Sequence, residues 1–504
     1  MQLTNSTPYD EVDYPSYVYA QTHPDRLATI ATLHGMKPAP VDDCRVLELG
    51  CGAGGNLIPM AFDLRDSKFV GVDLAGSAIA QGREMIAALS LNNISLQQVD
   101  VTTFPSELGQ FDYLIAHGLF SWVPEAVRER ILAICRAHLA PHGVAYISYN
   151  TYPGCRLREI TRDIMRFHTK DAQSPAEKVG QSRAVIKWIA EAQEQEKSYA
   201  TFLAEANANL KKRDDGSLYH DDLADINVPF YFHEFAQQAS QHGLQFLSEA
   251  DHFERAADSL KEEAVRQLEE LGRENVVARE QYLDFLKGRS FRQTLLCHHE
   301  VALKYRVEPA ILAQLLVRSG AQPVTSPPDL KESTVEEFRA KNGASATTDL
   351  PLAKAALFHL GRIYPRGIKL SDLLTEVRLL TETTASDDAE TLAEITLRMY
   401  EVGVVELHTH EPAYVVAPSA RPVSSPIAQY QLRSGNVVST LVNESLRLED
   451  DLARQLILLL DGKHDRDDLI QELTPMIDVE IKDELAAHLE EKLLELGKLG
   501  LLLL

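Results

Sequence analysis

No apolar run in this 504-residue sequence is long enough to span a bilayer, and the polar, tyrosine-rich N-terminus carries no basic-then-apolar leader. Basic residues are scarce: 50 Lys and Arg stand against 74 Asp and Glu, a net charge of −24. That deficit argues against nucleic acid, whose phosphates require a basic field, and favours neutral or basic acceptors. Cysteines are few. Cys44, Cys51, Cys135, Cys155 and Cys297 sit in apolar runs without paired metal-ligand spacing, as reduced thiols do. The expectation is a cytoplasmic protein with no membrane insertion. No Ser-His-Asp or Walker pattern occurs. Cys297, His298, His299 and Glu300 fall at a strand end, where neighbours point to opposite faces and cannot share an ion. His408 and His410 could share a face but lack a third ligand, so no metal is expected.

What the sequence does contain is concentrated in ten residues, VLELGCGAGG, from Val46 to Gly55. A buried-strand run ends in Gly50, Gly52 and Gly54, which free the backbone of a strand-to-helix turn and let a ligand approach it closely. Dinucleotide enzymes space their glycines G-x-G-x-x-G and grip a pyrophosphate. Here the spacing is G-x-G-x-G, preceded by Glu48. A carboxylate there repels pyrophosphate but suits a cationic sulfonium, so the pattern favours S-adenosylmethionine. Asp73 closes the next apolar run, KFVGVD, 19 residues after Gly54, where a carboxylate can accept from both ribose hydroxyls. Asp100 ends ISLQQVD, where the adenine amino group is commonly met. FDYLIAHG (Phe111 to Gly118) and GVAYISYN (Gly143 to Asn150) complete a βαβ series.

After the fifth strand the pattern predicts two or three amphipathic helices over Arg156 to Tyr219. A helix and strand (His233 to Ala250), more helix (Ala257 to Leu286) and a last strand at Ser290 to His298 follow, so the sheet closes only near residue 298. Gly320 to Thr348, with TSPPD and KNGASATT, reads as linker. Leu350 to Val416 gives three short helices and two strands, VVELHTH and AYVVAP, in winged-helix order. A second linker, Pro418 to Pro426, leads to a similar arrangement ending in leucines, which read as core and a final strand. Neither module offers a basic recognition helix, so protein contact or dimerisation is expected of them rather than DNA binding.

Four runs extend the picture: Tyr9 to Thr29, AHGLFSWVP (Ala116 to Pro124), Ser148 to Thr169, and Pro229 to Ala250. With the glycine turn they resemble the class I S-adenosylmethionine-dependent methyltransferases, and within them a bacterial subfamily carrying a regulatory domain. Some members of that subfamily are protein lysine methyltransferases acting on outer-membrane proteins. The resemblance covers most of residues 1 to 300. Cys155 departs from it, standing where the subfamily often has Trp after Tyr-Pro-Gly.

The resemblance implies an α/β fold: a Rossmann-like seven-stranded sheet with helical insertions, followed by winged-helix-like α+β modules. The expected parts are an N-terminal lid (1–40), a cofactor core (41–155), a helical cap with closing strands (156–300), a linker (301–349) and modules at 350–417 and 427–504. Candidate cofactor residues are Tyr14, Glu48, Gly50, Cys51, Gly52, Gly54, Asn56, Asp73, Leu74, Asp100, Val101 and His117. Strand ends four and five, where open α/β sheets bind ligands, supply His117, Asn150 and Tyr152 as catalytic candidates. They also supply Phe120, Ser121, Trp122 and Tyr152 as acceptor-binding ones. His117 or Tyr152 could accept a proton or orient an amine; Asn150 could accept a hydrogen bond from it. The implied reaction converts S-adenosylmethionine to S-adenosylhomocysteine. A protein lysine is the acceptor the resemblance implies; a small-molecule acceptor, a cofactor-binding regulator without turnover and a homodimer all stay open.

Overall fold

The computed structural model describes residues 17–194, 197–251, 260–476 and 485–503. Its centre is a sheet of β1 (Arg45–Leu49), β2 (Lys68–Asp73), β3 (Ile94–Gln98), β4 (Phe111–Ala116), β5 (Leu139–Asn150), β6 (Leu244–Glu249) and β7 (Phe291–His298). The spatial order is β3-β2-β1-β4-β5-β7-β6. β1 to β5 run parallel, and β7 lies antiparallel between β5 and β6. Successive side chains point to opposite faces, and both faces are covered, which is why these strands read as continuous apolar runs. Val46, Tyr113, Tyr146 and Leu295 enter one core; their chain neighbours Leu47, Leu114, Ile147 and Leu296 enter the other. Helices α1 (Pro24–Leu33), α2 (Leu57–Asp63) and α3 (Gly76–Ala88) cover the first face, and α4 (Glu125–His138) the second.

Between β5 and β6 the chain inserts α5 (Cys155–His168), α6 (Pro175–Glu191) and α7 (Ser198–Lys212), followed by α8 (Phe232–Gln241), which leads into β6. The insertion has its own small core of Met165, Val179, Ile186, Leu210 and Leu218. Arg158 and Arg213 both pair with the buried carboxylate of Asp222. Before β7 come α9 (Glu262–Glu274) and α10 (Val276–Lys287). Arg292 of β7 fastens this part to the sheet. It is wholly buried and bonds Glu249 at 2.6 Å, Asp284 through two nitrogens at 2.8 Å and Glu280 at 3.2 Å. Its guanidinium lies 3.9 Å from the Phe232 ring centre.

Past β7 the structure corrects two readings. The stretch 301–349, expected as linker, holds β8 (Leu316–Arg318), β9 (Gln322–Pro323), β10 (Glu336–Arg339) and β11 (Ser345–Thr348). β9, β10 and β11 form a small antiparallel sheet, and Leu315, Val317 and Phe338 are buried in the middle module's core. The β10–β11 turn is Asn342-Gly343 with Gly343 at φ +89°, a hairpin signal that the polar composition around it hid. The middle module's helices are α11 (Pro351–Ile363), α12 (Leu370–Thr381) and α13 (Asp388–Glu401). Its strands β12 (Ile368–Lys369) and β13 (Glu406–His408) flank β8, so AYVVAP, expected as the second wing strand, is not one. The second linker is likewise part ordered: β14 (Val423–Ser424) pairs with the terminal leucines, Leu502–Leu503. Leu493, Leu496, Leu501 and Leu502 are core, as expected of that run.

Asp25 of α1 bolts the middle module to the sheet. Buried, it accepts from His408 Nδ1 (2.6 Å), from the Thr409 and His410 backbone amides (2.6 and 3.0 Å) and from the Thr409 hydroxyl (2.8 Å). His410 in turn bonds Asp63 of α2 at 3.0 Å. The two histidines singled out in the sequence thus meet carboxylates of the sheet domain. Removing one partner of a buried charged pair costs about 3–5 kcal/mol. Asp25→Ala should therefore release residues 301–417 as a separately melting unit, seen as an earlier calorimetric transition and as faster proteolysis there. A single transition within 2 °C of the original (about 1 kcal/mol for a domain of this size) would contradict this.

Candidate active site

Parallel strands whose order reverses leave a crevice at their C-terminal ends. Here the reversal lies between β1 and β4, and the loops after these strands touch: a Cβ at Gly50 would meet the Leu119 side chain. Gly50, Gly52 and Gly54 all have positive φ, at 75°, 53° and 75°. At Gly52, and at Gly118 across the crevice, a Cβ would meet nothing within 4 Å, so both backbones face open space. The Gly52 amide donates to Asp73 Oδ2 and the Ala75 amide to Asp73 Oδ1, each at 2.8 Å. Asp73 therefore pins the glycine turn to β2.

Glu48 lies buried beneath the turn. Its Oε1 accepts from Asn56 Nδ2 at 2.9 Å, while its buried Oε2 has no partner. Burial pushes its carboxyl up to about 7, the Asn56 hydrogen bond opposing and Asp73 adding to the shift. Such an orphaned acceptor suits a cationic ligand in the crevice. Asn56, expected to touch cofactor, spends its amide inside the protein, accepting from the Tyr19 backbone at 3.0 Å and pairing with the Thr22 hydroxyl. It ties the N-terminal arm to the glycine turn. The arm's other edge reaches the C-terminal module, where the Val18 amide donates to Ser445 Oγ at 3.2 Å.

Tyr19 then lies against His117, ring centres 3.9 Å apart. His117 Nδ1 is 2.9 Å from the Tyr146 hydroxyl, and burial pushes the imidazole down to about 4. A ring with that pKa is neutral at pH 7 and a weak proton acceptor, which favours a packing and hydrogen-bonding role over the catalytic one. Along β5, Tyr146, Ser148 and Asn150 share a face by strand alternation. Ser148 Oγ accepts from the Gly118 amide at 2.8 Å, so this face lines the crevice. Phe291, paired with Asn150 across β5–β7, puts its ring 6.3 Å from that of His117. Beside it opens a cavity of about 630 Å³ lined by Leu260, Leu286, Arg289, Ser290 and Phe291 among others.

Other expected residues sit elsewhere. Phe120 is fully buried against Tyr149, Phe230 and Phe235 and belongs to the core, not to an acceptor pocket. Ser121 is fully buried and spends its hydroxyl accepting from the Asn150 amide at 2.9 Å. Trp122 is half-buried with its indole N–H unpartnered. The Tyr152 hydroxyl donates to Glu159 at 2.6 Å, and burial and that carboxylate raise its pKa, so it is no proton acceptor. Cys51 is buried, its thiol pushed well up by burial. Leu74 is exposed beside Asp73, and Val101 is half-buried. Asp100 caps a 3₁₀ turn, accepting from the Thr102 amide and hydroxyl at 2.8 and 2.7 Å. Tyr14 lies outside the described residues. The sequence reading passed over Tyr19, Tyr146 and Ser148. Tyr19 belonged to the tyrosine-rich run already noted, and the other two to the alternation of β5.

Comparison with known proteins adds the rest. Residues 46–143 match the model of a methyltransferase domain, 214–298 that of a predicted methyltransferase regulatory domain, and 420–501 that of the PKMT C-terminal winged helix domain. The uncharacterized protein RP789 of Rickettsia prowazekii is 39% identical over 306 residues, 60% of this chain and 55% of that protein. The uncharacterized protein RP028 of the same organism is 34% identical over 248 residues, 49% of this chain and 99% of that protein. The chain belongs to the methyltransferases with a regulatory domain. The structure of PKMT2 from Rickettsia typhi, solved also in complex with AdoHcy, superposes on this methyltransferase with a TM-score of 0.88. The two are 25% identical, over 97% of this chain and 99% of that one. The methyltransferase's seven-stranded sheet and winged-helix module are thus those of a solved relative. The residues present fit the family's S-adenosylmethionine: an open glycine cradle, a carboxylate at the tip of β2 bonded to it, and a buried acid with one unpartnered oxygen. No metal-binding group of three or more ligands occurs among the described residues, nor any helix long and apolar enough to cross a membrane.

Proposed function

We propose that this chain transfers the methyl group of S-adenosylmethionine to lysine side-chain amines of a protein in the cytoplasm. The observation that carries the proposal is the whole-chain likeness to PKMT2, a protein lysine methyltransferase solved with AdoHcy, spanning cap and C-terminal modules as well as the sheet. When bound, the cofactor supplies an electrophilic methyl on a sulfonium. The protein's part is to hold the acceptor amine in line and to exclude water. In this reading Asp73 holds the ribose, and Glu48 faces the positive end. Tyr19 and His117 wall the crevice, and Asn150 accepts a hydrogen bond from the acceptor amine. The cavity beside Phe291 gives the acceptor its approach. Five buried, unpaired cysteines are in keeping with a reducing compartment.

Glu48 makes the cofactor step pH-dependent. Its folded pKa of about 7 lies above the unfolded value of 4.5, so the ligand-free chain loses stability as pH rises from 4.5 to about 7. A cation beside it favours the carboxylate and releases a proton. S-adenosylmethionine affinity should therefore rise with pH below about 7, by at most about tenfold per unit, and level off above. In Glu48→Gln it should be weaker and flat. Calorimetry in two buffers of different ionisation enthalpy reads the proton directly; zero release at pH 6.5 would remove Glu48 from the site.

The acceptor is tested by transfer of methyl-labelled S-adenosylmethionine to a bacterial cell extract, resolved into protein and small-molecule fractions. Base-stable label in discrete protein bands is expected, with methyl-lysine after hydrolysis. Label confined to small molecules, or no transfer despite tight cofactor binding, would overturn the protein acceptor.

A further inference from the structure

Asn150 is held at every heteroatom but one. Its backbone amide donates to Ser121 Oγ (2.9 Å), its carbonyl accepts from the Phe230 amide (3.0 Å), and its Nδ2 donates to Asn227 Oδ1 (2.8 Å). Only Oδ1 has no partner among the described residues, on a side chain 1% exposed that lies on the crevice face of β5. An amide can present either end to its surroundings, and the two ends differ in kind: oxygen accepts, nitrogen donates. An amine acceptor about to be methylated needs the oxygen.

What decides the orientation is Asn227, in the segment that follows the helical insertion. Its Nδ2 donates to the Asp221 carbonyl at 3.1 Å. A carbonyl can only accept, so Asn227 must turn its nitrogen there and its oxygen toward Asn150. Asn150 must answer with Nδ2, which leaves Oδ1 for the crevice. Asp221 is itself fixed, because Arg213, just after α7, grips the carboxylates of Asp221 and Asp222, and Arg158 of α5 holds Asp222 at 2.6 Å. The chain of contacts runs from the insertion to the end of β5 without a gap.

We propose that Asn227 is a positioning residue for methyl transfer: anchored by the insertion, it sets the Asn150 amide with its oxygen toward the acceptor amine. This rests on the reading above in which Asn150 contacts the acceptor. The insertion then acts on turnover through one hydrogen bond, without touching the cofactor.

The test uses the full chain, methyl-tritiated S-adenosylmethionine and the protein fraction of a bacterial extract, titrated to saturation, with S-adenosylhomocysteine affinity and melting temperature measured on each variant. Asn227→Leu keeps the shape and lets the Asn150 amide turn. The maximal rate should fall by about tenfold to a hundredfold, the scale of a misplaced reacting group, with S-adenosylhomocysteine affinity within threefold. Asn227→Asp still offers an oxygen to Asn150 Nδ2 and should keep the rate within about threefold, although it too loses the donor to Asp221. In an Asn150→Ala background, Asn227→Leu should cost nothing further. Equal losses in the Leu and Asp variants, or full additivity with Asn150→Ala, would overturn the positioning role. An unchanged rate in Asn150→Ala alone would instead sink the acceptor contact, and absence of transfer by the unsubstituted chain would sink methyl transfer itself.

Discussion

Arg292→Ala is expected to leave most of the chain unfolded at 37 °C. The guanidinium is the only cation in contact with Glu249 among the described pairs. It shares Asp284 with Arg289, and Glu280 with Arg279. Glu249, Glu280 and Asp284 are all at most 1% exposed. Removing the central charge strands carboxylates where water cannot reach them, and breaking one buried pair already costs about 3–5 kcal/mol against a domain stability of about 5–15 kcal/mol. Burial already holds Asp284 up at about 6 even with Arg292 opposing it. In the variant the Asp284 carboxyl should sit higher still, above its unfolded value, so stability should fall as pH rises and part of it should return near pH 5. Circular dichroism melts at pH 5 and 8 check both statements. Arg292→Met with Glu249→Gln and Asp284→Asn should recover much of the loss. A melting temperature for Arg292→Ala within a few degrees of the parent at pH 8 would contradict the account.

The second large effect is on the cofactor. Asp73→Ala removes the two bonds that pin the glycine turn and start α3, and with them the acceptor expected to face the ribose. Hydrogen bonds to a charged group contribute about 1.5–3 kcal/mol each, so S-adenosylhomocysteine affinity should fall at least about a hundredfold. Asp100→Ala is the useful contrast. Its carboxylate caps only the turn at Thr102, a contribution of about 1 kcal/mol, and its affinity loss should stay within about tenfold. Calorimetric titration of both variants distinguishes the roles. Asp73→Ala binding within threefold of the parent would be incompatible with this geometry.

Much of the sheet was legible because its causes are local. Alternate glycines at positive φ, apolar runs of strand length and a carboxylate at the tip of β2 are visible in consecutive residues. So was the late closing strand, since SFRQTLLCH follows two amphipathic stretches. Facing was not legible. Phe120 and Trp122 are two residues apart on one 3₁₀ turn, yet one is core and the other half-buried, and no period of the sequence separates them. The hydroxyls of Ser121 and Tyr152 and the amide of Asn56 looked like ligand contacts by type. They are consumed by partners 29, 7 and 34 residues away, which spacing cannot reveal. Very short strands failed for another reason. β8, β9 and β14 have two or three residues each and depend on partners far along the chain, so their composition reads as loop.

The arm that carries Tyr19 over His117 is held by Asn56 on one side and by Ser445 on the other, and α1 next to it by residues 408–410. These anchors are made at very different moments of synthesis. A chain that has left the ribosome as far as residue 300 already contains all seven strands of the sheet and the glycine turn. It does not yet contain the partners of Val18 and Asp25, so these two residues wait for Ser445 and Thr409 before their contacts are complete. The finished fold thus ties the arm and α1 to residues made long after the sheet, and a product cut at residue 300 retains the sheet without the outer support of its arm.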